Sequence, residues 1–320
     1  MSRVVSREGF QSLARLDRAV IGMGLVVLAG IIWSLQGVFL RLMNGADPWQ
    51  ILFMRGFGMA VTTFPVLILF GKGTVLSQMK LAGWRGVAAG VFVGMSGILF
   101  VIAVTHTTVA NAVFMVGAGP FFAAFLGRVI LGESVRKETW IAMILSLFGI
   151  LLMVMDGLEA GRLAGSIYAL FSTLCFAIYS VILRSARDVD MNPTAVYKGI
   201  FEIVCAGLVI AMAWSWATSG EGDATSAYHF MSLRDVWLSL AVGLLLGLGV
   251  LVFTLGARSL TPAEMTMGSL TELVLSPIWV WLIVHERPDI TTLIGGAIIV
   301  FAIILQAASG MRRARPPVVV

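Results

Sequence analysis

Ten windows of mostly apolar residues follow one another along this chain, at roughly 19–43, 48–70, 83–104, 108–131, 138–156, 163–184, 193–217, 234–257, 261–285 and 289–309. Each is close to the ~20 residues that carry an α-helix across a bilayer core. In lipid, backbone polar groups must be satisfied within the chain, so windows of this kind fold as spanning helices. Charged residues are 12% of the sequence, against about 25% in soluble domains. The expected class is an all-α integral membrane protein with ten transmembrane helices, embedded in the lipid bilayer.

Ten spans put both termini on one side. With that side cytoplasmic, 16 Lys and Arg residues fall in inner segments and 4 in outer ones. A bias of this size sets orientation. The net charge of +5 comes from basic residues scattered singly between apolar runs, so it marks topology and not nucleic-acid binding. Cys175 and Cys205 lie inside apolar runs and form no disulfide framework.

Sliding Gly86–Leu152 onto Ser239–Leu305 without a gap gives 13 identities over 67 positions, among them Gly90/Gly243, Gly94/Gly247, Thr108/Thr261 and Glu133/Glu286. Trp33 to Arg41 likewise resembles Phe176 to Arg184. The chain therefore reads as two five-helix repeats, 19–156 and 163–309, between a cytoplasmic segment 1–18 and a cytoplasmic tail 310–320. Five is odd, so the second repeat is inverted. Inverted repeats place a solute site at a central cavity near the midplane, reached alternately from each side.

Glu272 lies mid-span in the ninth window. An ionisable residue there faces protein or a water-filled cavity. Three roles stand open: a hydrogen-bonded interior carboxyl, a partner for a substrate ammonium, or a proton carrier. Arg55, seven residues after Pro48, either snorkels to the outer interface or contacts an anionic group. Lys198 and Glu202 are four apart and share a helix face, which suits a structural pair. Trp33 and Gln36 share a face of the first span, with Tyr179 at comparable depth in the sixth. Asn111 flanks an outer turn, as a helix cap or a cavity group. Glu264 suits a helix N-terminus. Pro120 and Pro277 each interrupt a spanning helix, either as simple kinks or as bends that shape and gate a cavity. Gly90-xxx-Gly94 and Gly243-xxx-Gly247 permit close helix approach.

There is no G-x-x-x-x-G-K-[ST] and no H-E-x-x-H. No metal, cofactor or catalytic constellation is expected, and an enzyme is disfavoured.

The Trp33-containing first span, the Pro48-to-Arg55 second span, and the Pro120-to-Glu133 fourth span recur in part in the second half as Thr261-Pro262-Ala263-Glu264, Glu272 and Glu286. In this ordered set the chain resembles the drug/metabolite transporter superfamily, EamA type. The resemblance implies a ten-helix basket around a central cavity. It also implies secondary transport, in the export direction, of small polar metabolites such as amino acids, in a bacterial inner membrane. The expected substrate-binding residues are Trp33, Gln36, Arg55, Asn111, Tyr179 and Glu272. Protons are a candidate coupling ion, and the protein is expected as a monomer or homodimer. A passive channel for small solutes is the alternative, and a membrane-embedded enzyme a remoter one.

Overall fold

The computed structural model describes residues 20–43, 45–71, 73–132, 137–159, 163–218 and 231–313, and among them there is no strand. The helices are α1 (Val20–Leu42), α2 (Pro48–Phe70), α3 (Val75–His106), α4 (Val109–Leu131), α5 (Lys137–Glu159), α6 (Leu163–Ser185), α7 (Thr194–Thr218), α8 (Leu233–Ala257), α9 (Pro262–Val284) and α10 (Ile290–Arg313). Eight of them, α1–α4 and α6–α9, are long and apolar enough to cross a membrane over their described residues. The chain is a multi-pass membrane protein.

Local chemistry fixes the helix starts. Asp47 accepts a hydrogen bond from the Trp49 N–H at 2.8 Å, and Pro48 opens α2 without a donor to satisfy. Thr108 caps α4 through the Asn111 N–H at 3.2 Å, and Thr261 caps α9 through the Glu264 N–H at 3.3 Å. Glu264 returns the bond to the Thr261 N–H at 2.8 Å, which closes a capping box. Its place in the sequence is explained by that contact.

α3 departs from expectation. It begins at Val75, ahead of the predicted 83, and carries a non-helical residue at Gly83 with φ 55° and ψ −152°. The segment before the break is a short helix capped by Thr74, whose Gln78 side chain donates to Leu67 O of α2 at 2.9 Å. A positive φ at Gly83 is cheap only for glycine.

Three spanning helices are interrupted near mid-span. α1 breaks at Leu35, α4 passes through a 3-10 turn at Val116–Ala118, and α9 breaks at Leu270. Pro120 sits in the first turn after the α4 interruption. Pro277 lies inside the continuous piece Thr271–Val284, so the interruption of α9 falls seven residues earlier than the proline suggested.

Packing pairs join α3 with α6, α2 with α8, α2 with α7, α3 with α7, α4 with α6, α4 with α9, α1 with α8 and α9, and α5 with α10. Both small-residue motifs lie at such contacts. Side chains at Gly90 and Gly94 would collide with Tyr197 and Phe201 of α7; at Gly243 one would collide with backbone at Arg55 and Gly58 of α2. Large apolar residues such as Leu248, Phe171 and Ile304 face outward, where lipid takes the place of water. Close packing and polar contacts, more than apolar burial, hold such helices together.

Candidate functional site

A cavity of about 80 Å3 lies among eight helices. Its wall is Trp33 and Gln36 from α1, Arg55 from α2, and Val93, Ser96, Gly97 and Phe100 from α3. Val116 comes from α4; Ser172, Thr173 and Phe176 from α6; Lys198 from α7; Leu246 and Val250 from α8; Ser269 and Glu272 from α9. Among the described residues, none from α5 or α10 lines it.

Two of the interruptions meet here. Gln36 follows the break at Leu35 and Glu272 follows the one near Leu270, each opening a helical piece. Gln36 Nε2 donates to Glu272 Oε1 at 2.7 Å. A buried carboxyl with one charge-free donor is held in place while its second oxygen keeps acceptor capacity.

A second polar group comes from α2 and α7. Arg55 Nε donates to Glu202 Oε2 at 2.9 Å, and Arg55 Nη2 lies 2.8 Å from Glu202 Oε1. Lys198 Nζ donates to the same Oε1 at 2.6 Å. All three side chains are buried, Arg55 and Glu202 fully. One glutamate thus serves two cations. Gly97 makes room for them: a β-carbon there would lie 2.7 Å from both Arg55 Nη2 and Glu202 Oε1.

An aromatic group forms a third part of the wall. Trp33 meets Phe176 edge-on at 5.7 Å between ring centroids, and both rings contact Phe253. Ser172 Oγ donates to Ser96 O at 2.7 Å and ties α6 to α3 at the cavity.

Trp33, Gln36, Arg55 and Glu272 of the six expected binding residues line this space, and Asn111 and Tyr179 do not. Asn111 Nδ2 donates to Thr107 Oγ1 and Ser166 Oγ, both at 2.9 Å, at the start of α4. The Tyr179 hydroxyl is 3.2 Å from Thr254 Oγ1, fully buried behind Phe176 and Phe253. Arg55 does not snorkel; the carboxylate of Glu202 holds it inside. The anticipated Lys198–Glu202 pair is present, but it is shared with Arg55, and Lys198 reaches the cavity. Charge parity was the available signal. Two cations and one anion at mid-helix positions of α2 and α7 cannot all be satisfied as separate pairs. Nothing in the spacing singled out Gly97.

Beyond the cavity, Arg41 Nε lies 2.7 Å from Glu286 Oε2, and Arg41 Nη2 donates to Thr107 O at 2.8 Å. Glu286 Oε1 accepts from the Val109 N–H at 2.9 Å. This cluster ties α1, α4 and the end of α9 together. Arg184 Nη1 donates to Leu260 O at 3.3 Å, a bond of the same kind in the second half. Glu133, matched to Glu286 in sequence, lies outside the described residues. Among the described residues, no group of three His, Cys, Asp or Glu side chains is placed to hold a metal ion.

The sequence pattern of the EamA-like transporter family matches residues 20–155 and again 163–307. This chain belongs to the EamA-like transporter family. Members of that family are transporters and not enzymes. Among relatives of this EamA-like chain is a pseudopaline exporter of Pseudomonas aeruginosa (strain UCBPP-PA14), 25% identical over 300 residues that cover 90% of this chain and 96% of the relative. An S-adenosylmethionine uptake transporter of Rickettsia prowazekii (strain Madrid E) is 22% identical over 284 residues, 85% of this chain and 90% of the relative. A solved crystal structure shares the fold, with a TM-score of 0.65 at 16% identity, over 92% of this chain and 98% of that one.

Proposed function

We propose that this protein is a secondary transporter, working in the export direction, that moves small polar organic metabolites such as amino acids across a bacterial inner membrane by alternating access. The observation that carries the reading is the composition of the cavity wall. Among the described residues, α1–α4 and α6–α9 all contribute and α5 and α10 do not. A site built from the same four helices of each half suits a solute held between two moving bodies.

The packing supports ten spans arranged as two inverted repeats, 19–156 and 163–309, and the bias of Lys and Arg toward inner segments supports cytoplasmic termini. Exchange each helix for the one five places on. The α2–α8 pair then becomes α7–α3, α3–α6 becomes α8–α1, and α4–α6 becomes α9–α1; α2–α7, α4–α9 and α5–α10 map onto themselves. The interruption at Val116–Ala118 also falls on 269–271 under the same offset of 153 that aligns the sequences.

Within this reading Trp33, Gln36, Arg55 and Glu272 contact the solute. Glu272 receives a cationic group or a coupling proton. The interruptions beside Pro120 and at Leu270 are the points about which the halves rock. The relatives transport pseudopaline and S-adenosylmethionine, which supports an organic metabolite as cargo. The test is purified protein in liposomes, challenged with a metabolite panel. Saturable flux stimulated by solute on the opposite side is expected. Flux that rises linearly and ignores the opposite side marks a passive channel.

A further inference from the structure

Resting on the transporter reading above, we propose that Arg55 and Lys198 form a carboxylate seat, and that the solutes carried are zwitterions with the carboxylate there and the cationic group on Glu272.

The first ground is charge. Arg55 and Lys198 share the single carboxylate of Glu202, so this corner of the wall carries one excess positive charge. Charge in a low-dielectric interior is tolerated when a partner compensates it. The second ground is unused hydrogen-bonding capacity. Glu202 takes the Nε and Nη2 edge of the Arg55 guanidinium. Nη1 is buried and has no hydrogen-bond partner among the described residues. Lys198 spends one strong bond on Glu202 and a weak one on the Met59 thioether at 3.3 Å, which leaves a donor. A guanidinium edge and an ammonium side by side match the two oxygens of a carboxylate. The third ground is access. Gly97 presents bare backbone where any side chain would press on Arg55 and Glu202, and all of Arg55, Gly97 and Lys198 line the cavity.

One excess charge matches a monoanion and not a dianion. The same cavity holds Glu272, whose Oε1 is fixed by Gln36 while no hydrogen bond ties Oε2 among the described residues. That carboxylate repels a second anionic group and attracts a cationic one. A solute with one group of each sign balances the loaded site.

The experiment uses full-length protein in proteoliposomes. Counterflow of the standard amino acids is measured, and each one carried is then competed by its own carboxamide and its decarboxylated amine. In parallel, wild type and Lys198→Met are melted in detergent without solute. Losing a charge-assisted contact predicts that the carboxamide and amine compete at least about tenfold more weakly. Lys198→Met is expected to erase that preference while melting no lower than wild type, since it leaves a balanced Arg55–Glu202 pair. Carboxamides that compete as well as the acids overturn the proposal. So does a Lys198→Met protein that melts several degrees lower, because the lysine is then a structural partner of Glu202. Absence of counterflow by every compound counts against the transporter reading itself, and the melting comparison still decides the seat.

Discussion

Gln36 and Glu272, 236 residues apart in the chain, meet through a 2.7 Å hydrogen bond at the cavity wall. Each stands just past an interruption of its helix. Interrupted helices free backbone groups at membrane depth, and such groups persist only where they line a cavity or pack in protein. The bond therefore couples two interruptions, one in α1 and one in α9, through a side chain that can also meet a solute.

Replacing Glu272 by Leu leaves the Gln36 amide buried without its acceptor. The expected cost is about 1–3 kcal/mol of stability, with flux lost. Glu272→Gln keeps the shape and is expected to fold with little change in melting temperature. If Glu272 carries the coupling proton, this variant shows flux that no longer varies with pH. Full wild-type pH dependence in Glu272→Gln removes the proton role and leaves the binding role standing.

Glu202 is the single anion between two buried cations. Glu202→Leu strands both, and an uncompensated buried charge is worth roughly 3–5 kcal/mol. The expected outcome is poor recovery from the membrane and a melting temperature many degrees below wild type. A Glu202→Leu protein as stable as wild type contradicts the assigned network.

Gly97→Ala puts a methyl group 2.7 Å from Arg55 Nη2 and Glu202 Oε1. Overpacking of this kind costs about 1–3 kcal/mol. Flux is expected to fall more than stability, because the displaced atoms belong to the wall of the cavity. The equivalent change at Gly24, where a β-carbon meets nothing within 4 Å, is the control and leaves both quantities unchanged.

The Arg41–Glu286 pair is partly exposed, at 30% and 20% of its side-chain surface. Its contribution to stability is about 0–1 kcal/mol by the usual measure of such pairs. Its consequence is conformational, since it joins α1 to the end of α9 beside the α4 N-terminus. Arg41→Ala is expected to speed thiol labelling of a cysteine placed at Ser276, which is fully buried here. Labelling at the wild-type rate shows that the pair does not hold this end closed.

Much of the fold was legible because lipid leaves few options. Apolar windows became helices, and Gly90 and Gly243 became helix contacts, while the cap of α4 is Thr108 and not Asn111. Part of the site was legible too, since Gln36, Arg55 and Glu272 are costly in lipid and had to face inward. What stayed hidden depended on three-dimensional proximity. Lys198 at helical spacing from Glu202 explained itself locally, so the third partner, Arg55, went unseen. Tyr179 shares its depth with Gln36, but Phe176 and Phe253 stand around it. Pro277 marked the ninth span, while the interruption of that helix falls at Leu270.

Counterflow in proteoliposomes tests the central claim most directly. Vesicles loaded with one unlabelled metabolite are diluted into the same compound carrying label. Alternating access at a cavity shared by both halves predicts transient accumulation of label above equilibrium, saturable with concentration and reduced in Gly97→Ala. Label that equilibrates without overshoot, at a rate proportional to concentration, contradicts it.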